Sequence, residues 1–220
     1  MNDAKNIVGT IKIIRKEVGK FHGAAITKIG NETHSPFQVL VSCIMSLRTR
    51  DTVTYPTARK LFSVASTPKQ IADMKLGRLE DIIRPVNYYK TKARRIRQIS
   101  KEIVDKHCGK VPQSFDGLMK FRGVGRKTAN IVLSNAYGIN AGIAIDTHMK
   151  RVNFRLGLTE SKNPGRIERD LMKIIPKSMW NRYTYLIIAH GRAVCRAPFP
   201  RCSICPLAKI CPRDGVEKSF

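Results

Sequence analysis

The chain has 220 residues, 42% of them hydrophobic, and carries 41 Lys and Arg against 16 Asp and Glu for a formal net charge of +25. So large a cationic excess calls for a polyanionic partner. A membrane in that role is disfavoured: there is no apolar run of about eighteen residues, and the opening Met1 to Gly9 lacks a signal-peptide pattern, so a soluble, intracellular protein is expected.

Helical periodicity runs through nearly the whole chain. Ile7, Ile11, Ile14 and Val18 form one stripe and predict a helix over 2–20. Ser35 followed by Pro36 reads as an N-cap with proline at N1, opening a mostly apolar, buried helix through Val39, Leu40, Ile44 and Leu47. Asp51 is expected to cap the next helix, Ser66-Thr67-Pro68 to start another, and Leu79 to Ile83 to form a short one that Pro85 ends. From Lys92 to His107, Ile96, Ile99, Ile103 and Val104 face inward, Lys92, Arg94, Arg95, Arg97 and Lys101 face solvent, and Gly109 closes the helix. A helix follows from Arg126 to Tyr137, with Ile131, Val132, Leu133 and Ala136 turned to a core and Gly138 as its left-handed stop. Asp146 sits at the N-cap position of a helix over 147–156, and 164–175 and 177–193 supply two more. Strand signals are almost absent, so the fold class is all-α. No repeat of fixed period and no low-complexity linker divides the chain.

The densest chemistry lies in Phe121 to Asn130, F-R-G-V-G-R-K-T-A-N. Gly123 and Gly125 permit positive φ and close backbone approach, so the amides of a tight turn can face an anion, and phosphate is the natural one. Lys127 falls in the first turn of the following helix. There the positive end of the helix dipole and the neighbouring Arg126 ease access to a neutral, nucleophilic amine. Asp146, nineteen residues on, is a carboxylate that can take and return protons. A plain phosphate-binding turn, with Lys127 as a solvated cation, fits the local motif equally well.

The C-terminus changes character. Cys195, Cys202, Cys205 and Cys211 are spaced C-x6-C-x2-C-x5-C, and Pro206 and Pro212 stiffen the loop around them. Clustered cysteines without a secretory signal point to a metal centre, and four thiolates suit either a tetrahedral zinc or a [4Fe–4S] cluster. Cys43 and Cys108 stand apart and read as packed thiols.

Taken together and in this order, F-R-G-V-G-R-K-T-A-N, I-A-I-D-T-H and the four cysteines resemble the endonuclease III family of DNA glycosylase/AP lyases, in the helix-hairpin-helix superfamily. The resemblance implies two lobes with a DNA-binding cleft between them. One is a six-helix lobe over residues 29–139 that holds the helix-hairpin-helix near 115–130; the other joins 1–28 to 140–220 and carries the iron–sulfur loop, 195–211. It also implies a [4Fe–4S] cofactor on the four cysteines, with Lys127 as Schiff-base nucleophile, Asp146 as its acid–base or electrostatic partner, and a monomeric enzyme acting on duplex DNA that contains a damaged base or an abasic site. Oxidised pyrimidines are the substrate class the family suggests.

By position in the family, Arg48 and Tyr88 fill the space a flipped nucleotide leaves, at some cost in unstacking. Both depart from the family pattern, where a glutamine and a smaller apolar residue are usual. Asn87 replaces a glycine and is expected to supply a left-handed turn; Arg122 replaces a proline. The hairpin, through Arg122, Gly123, Val124, Gly125 and Arg126, together with Arg196 and Arg201 between the first two cysteines, is expected to meet the phosphate backbone. Tyr88 and Tyr89 can alternatively pack under the adjacent helix, and His148 is expected to bond locally. Two other functions share the scaffold: a mismatch or purine-lesion glycosylase, and a non-catalytic DNA-binding or redox module.

Overall fold

The computed structural model of the chain describes residues 7–18 and 25–220, and among these every regular element is helical. They fall into two compact units, one formed by Gly23–Ala141 and the other by Met1–His22 with Gly142–Phe220.

The Gly23–Ala141 unit is organised around α3 (Pro36–Ser46), which follows α2 (Ala25–Thr33). Eight of the eleven α3 residues are buried, including Phe37, Leu40, Cys43 and Ile44, because the helix is apolar nearly all round and is covered by α2, α4 (Asp51–Val64), α7 (Tyr89–His107) and α9 (Arg126–Tyr137). Ser35 starts it as expected, its Oγ accepting from the Gln38 amide at 3.4 Å ahead of Pro36. Thr67 and Gln70 form a full capping box at α5 (Pro68–Asp73), and α6 (Leu76–Ile82) follows.

Several expectations change in this unit. Asp51 is the first residue of α4, not its cap; Arg50 occupies the N-cap without a side-chain bond, and Pro56 lies inside the helix. The segment that forms α2 carries no capping signal, yet it is helical because Ile29 and Gly30 bury against the rest of the unit, the Gly30 Cα facing the Asn135 carbonyl too closely for a comfortable side chain. The left-handed residue of the turn before α7 is Tyr88 (φ 59), not Asn87. Most consequentially, Lys92 does not point to solvent; it is only 4% exposed. Lys92 lies on the same stripe as Ile96, Ile99 and Ile103, and that spacing overrides its charge. Cys108 is exposed at the left-handed end of α7 (φ 51), ahead of Gly109, and so is not a packed thiol.

The second unit packs α1 (Ile7–Val18), α10 (Thr147–Arg155), α11 (Pro164–Ile174) and α12 (Trp180–Ala193) around Ile11, Ile14, Met149, Ile167, Tyr183 and Ile187. The first helix is seen from Ile7; residues 2–6, 19 and 20 of the expected helix lie outside the described residues. At the centre, the fully buried Tyr183 hydroxyl donates to Asn153 Oδ1, and Asn153 Nδ2 donates to the Met149 carbonyl at 2.7 Å. Burial pushes the Tyr183 phenol up. Among the described residues, no helix is long and apolar enough to cross a membrane.

Candidate active site and cysteine loop

A short helix, α8 (Phe115–Met119), capped by Ser114, leads through the glycine turn into α9. Phe121 (1% exposed) and Val124 (5%) anchor that turn in the core, so Val124 can offer only its backbone to a ligand. Arg122, Gly123, Gly125 and Arg126 remain exposed. The two glycines serve different purposes. Gly123 has φ 88, and Arg95 Nε lies 2.3 Å from where its Cβ would stand. Gly125 instead has φ −101 and ψ 175 with open space beside it, and it is the N-cap of α9 without a side-chain cap. Positive φ is therefore needed at one glycine only; the other leaves the mouth of α9 bare, where its dipole and amides favour an anion. Arg126 lies over the Phe115 ring, 4.8 Å from its centroid.

Lys127 is half-buried in the first turn of α9. Cys43 of α3 lies close enough to feel its charge: burial pushes the Cys43 thiol up to about 12, while Lys127 pulls the other way. Asp146, in the other unit, caps α10 as expected, its Oδ1 accepting from the Met149 amide at 2.8 Å. The bond fixes the carboxylate's rotamer. His148 is engaged locally, its Nδ1 lying 3.2 Å from Arg151 Nη2, which can only donate. Nδ1 is thus the accepting nitrogen of a neutral ring, and burial lowers the His148 pKa to match.

Arg48 and Tyr88 come together. Both are exposed and left-handed, with φ of 54 and 59, and the Arg48 guanidinium sits 5.9 Å from the Tyr88 ring centroid. Tyr89 is the tyrosine that packs, half-buried against the core. Between the two tips run Asn87 Nδ2 to the Arg48 carbonyl at 2.5 Å and the Asn87 amide to Thr49 Oγ1 at 3.2 Å. The basic run on α7 is not one solvated face either: Arg94 is exposed, Arg95 lies against Gly123, and Arg97 donates to the Ala72 carbonyl at 3.3 Å.

Cys195, Cys202, Cys205 and Cys211 line one pocket with Val152, Leu156 and Leu207. Arg155, 8% exposed, ties this loop to α10, donating to Cys195 Sγ at 3.4 Å and to the carbonyls of Arg196 at 2.7 Å and Pro198 at 3.1 Å. No motif marked Arg155; its place is fixed by the packing of α10 against α12. His190 Nε2 lies 3.8 Å from Cys205 Sγ, its pKa lowered to about 4 by burial. Among the described residues, no three His, Cys, Asp or Glu side chains converge on one ion-sized point. Arg196 and Arg201 are exposed on the loop, with Arg196 Nε bonded to the Arg192 carbonyl at 3.2 Å.

The model of the HhH-GPD superfamily of base excision DNA repair proteins matches residues 41–177. Endonuclease III of Synechocystis sp. is 42% identical over 178 residues, covering 81% of this chain and 81% of that protein. The chain belongs to the endonuclease III family. Its fold agrees with that membership. A non-covalent Endonuclease III–DNA complex superposes with a TM-score of 0.86 at 35% identity, and a trapped Endonuclease III–DNA covalent intermediate with 0.84 at 34%, each covering 97% of both chains. Endonuclease III membership makes this chain a base-excision DNA repair protein.

Proposed function

We propose that this endonuclease III family protein is a bifunctional DNA glycosylase and AP lyase that excises oxidised pyrimidines and then cuts the strand. The observation that carries the reading is Lys127 in the first turn of α9, directly behind a glycine turn whose exposed backbone suits phosphate. In this reading the free amine attacks C1′ of the flipped nucleotide and forms a C–N bond as the damaged base leaves with the glycosidic electron pair. Ring opening gives a protonated imine, whose electron demand acidifies C2′. Loss of a C2′ proton then expels the 3′ phosphate, breaking the strand by β-elimination. Asp146, held by its Met149 bond, takes the proton from Lys127 or steadies positive charge developing on the sugar. DNA bound in related Endonuclease III complexes supports duplex DNA as the partner. The hairpin and Arg196 and Arg201 supply phosphate contacts, so binding should weaken steeply with salt.

The cysteine loop fits a [4Fe–4S] cluster. Four thiols line a shared, largely apolar pocket, a donor set that suits a [4Fe–4S] cube, and the cluster is the group the family resemblance implies for this spacing. When bound, the cluster orders the loop that carries Arg196 and Arg201. Cys195, Cys202, Cys205 and Cys211 would hold it.

Borohydride reduction on an abasic duplex tests the central claim: the wild type should form a covalent adduct and Lys127→Ala none. An adduct that survives Lys127→Ala overturns the assignment of the nucleophile, and binding without cleavage by the wild type would return the protein to a non-catalytic module. Arg48 stacked near Tyr88, both unusual at tips that would meet the lesion and its partner base, favours a second reading as a mismatch or purine-lesion glycosylase. A cleavage panel of thymine glycol, dihydrouracil, uracil and 8-oxoguanine duplexes separates the two.

A further inference from the structure

The helix α3 ends at Ser46, and the chain then turns through Leu47 to Thr49, with Arg48 at its tip. The buried Lys92 ammonium reaches this turn from α7. Its Nζ donates to the Met45 carbonyl at 2.7 Å, the Leu47 carbonyl at 2.6 Å and Thr49 Oγ1 at 2.9 Å. All three N–H donors are used, and the cation sits at the negative end of the α3 dipole. Lys92 occupies the first turn of α7, and its own amide bonds the carbonyl of Tyr88, the residue at the other tip. One side chain therefore ties the helix that presents Tyr88 to the loop that presents Arg48. Thr49 Oγ1 extends the tie to the Asn87 amide, and Asn87 Nδ2 returns to the Arg48 carbonyl.

We propose that Lys92 is a positioning residue that locks the Arg48 loop and the Tyr88 turn into one rigid two-pronged element for entering the duplex at a lesion. The inference rests on the reading of Arg48 and Tyr88 as inserted side chains. Two observations carry it beyond ordinary core packing. Both tips hold bulky residues in the left-handed region, a conformation that persists only where the surroundings over-determine it. Apart from the bond to Met45 in the last turn of α3, every bond of the network ends on the tip residues, their flanking backbone or Thr49, so its rigidity is delivered to the tips. Prongs already held in place lose little freedom on insertion, which leaves more of the contact energy to oppose unstacking.

The test uses the full-length, cluster-loaded protein and a duplex in which 2-aminopurine faces a tetrahydrofuran abasic analogue. Lys92→Met keeps the stem and deletes the three bonds; Thr49→Val keeps the shape and cuts the bridge to Asn87. Each should weaken binding to the abasic duplex roughly tenfold, reduce the 2-aminopurine signal, and leave binding to an undamaged duplex unchanged. In an Arg48→Ala/Tyr88→Ala background, adding Lys92→Met should change abasic-site binding less than twofold, since a residue acting through the prongs has nothing left to position. Equal losses on abasic and undamaged duplexes, or full additivity in that background, would overturn the proposal. If Arg48→Ala and Tyr88→Ala alone leave both readouts unchanged, it is the insertion reading that fails. Should Lys92→Met not fold, Thr49→Val alone decides, and wild-type discrimination by that variant refutes the lock.

Discussion

Exchanging each glycine of the hairpin for alanine separates two roles that look alike in sequence. At Gly123, φ of 88 lies where an L-residue costs about 1–2 kcal/mol, and an added Cβ would meet Arg95 Nε at 2.3 Å, forcing that half-buried side chain to move. Loss of unfolded-chain freedom returns about 0.4–1 kcal/mol. Displacing Arg95 adds to the cost, so Gly123→Ala should destabilise by about 1–2 kcal/mol, which lowers Tm by about 2–8 °C for a chain of this size. At Gly125, φ of −101 suits any residue and nothing lies within 4 Å of the new methyl group. There the unfolded-state gain of about 0.4–1 kcal/mol roughly cancels the poorer capping by alanine, and Tm should move by about 1 °C or less. The methyl group nonetheless occupies the mouth of α9, so Gly125→Ala should weaken duplex binding at unchanged stability. Thermal and urea denaturation of the three proteins, with fluorescence anisotropy on one duplex at fixed salt, reads both effects. Equal destabilisation by the two substitutions would refute the assignment of positive φ to Gly123 alone.

Three further outcomes follow from other parts of the fold. Tyr183→Phe strands the buried Asn153 Oδ1 and should cost about 1–3 kcal/mol in denaturant titration, whereas Tyr183→Phe with Asn153→Leu should cost less than the two singles summed. Arg155→Met removes two charge-assisted bonds to loop carbonyls, about 1.5–3 kcal/mol each, and should lower the iron and sulfide retained per purified chain; wild-type content would show that the loop holds itself. Glu32 accepts from the Tyr55 hydroxyl at 2.5 Å and from Arg59 at 2.9 Å, and these bonds hold its carboxyl below the ordinary 4.5. The stability they supply is present above that value and disappears as pH falls through the lower folded-state value, so the wild-type advantage over Glu32→Gln in acid titration should vanish at the acidic end.

Much of the architecture is written locally. Ser35-Pro36, the Thr67–Gln70 box, Gly138 and Asp146 act within a few residues of themselves, so chain order alone reveals where α3, α5, α9 and α10 begin or end. The same holds for the cysteine spacing and for Lys127 behind G-V-G-R, whose chemistry depends on neighbours along the chain. α2 escaped because its support is tertiary: Gly30 and Ile29 are held by contacts, not by caps, and at α4, expected from Asp51, only the cap was misplaced by one residue.

Lys92 marks the boundary most clearly. By itself the sequence determined an all-α chain with a glycine turn, a lysine at a helix mouth and a four-cysteine loop, because periodicity, capping and spacing are short-range. Only the tertiary structure decided that a lysine in a basic run turns inward, that Arg48 and Tyr88 stand side by side, and that Arg155 grips the cysteine loop. Those contacts join residues some 40 positions apart, and whether a cation faces water or the carbonyls and hydroxyl of a helix end depends on which helix end folds against it.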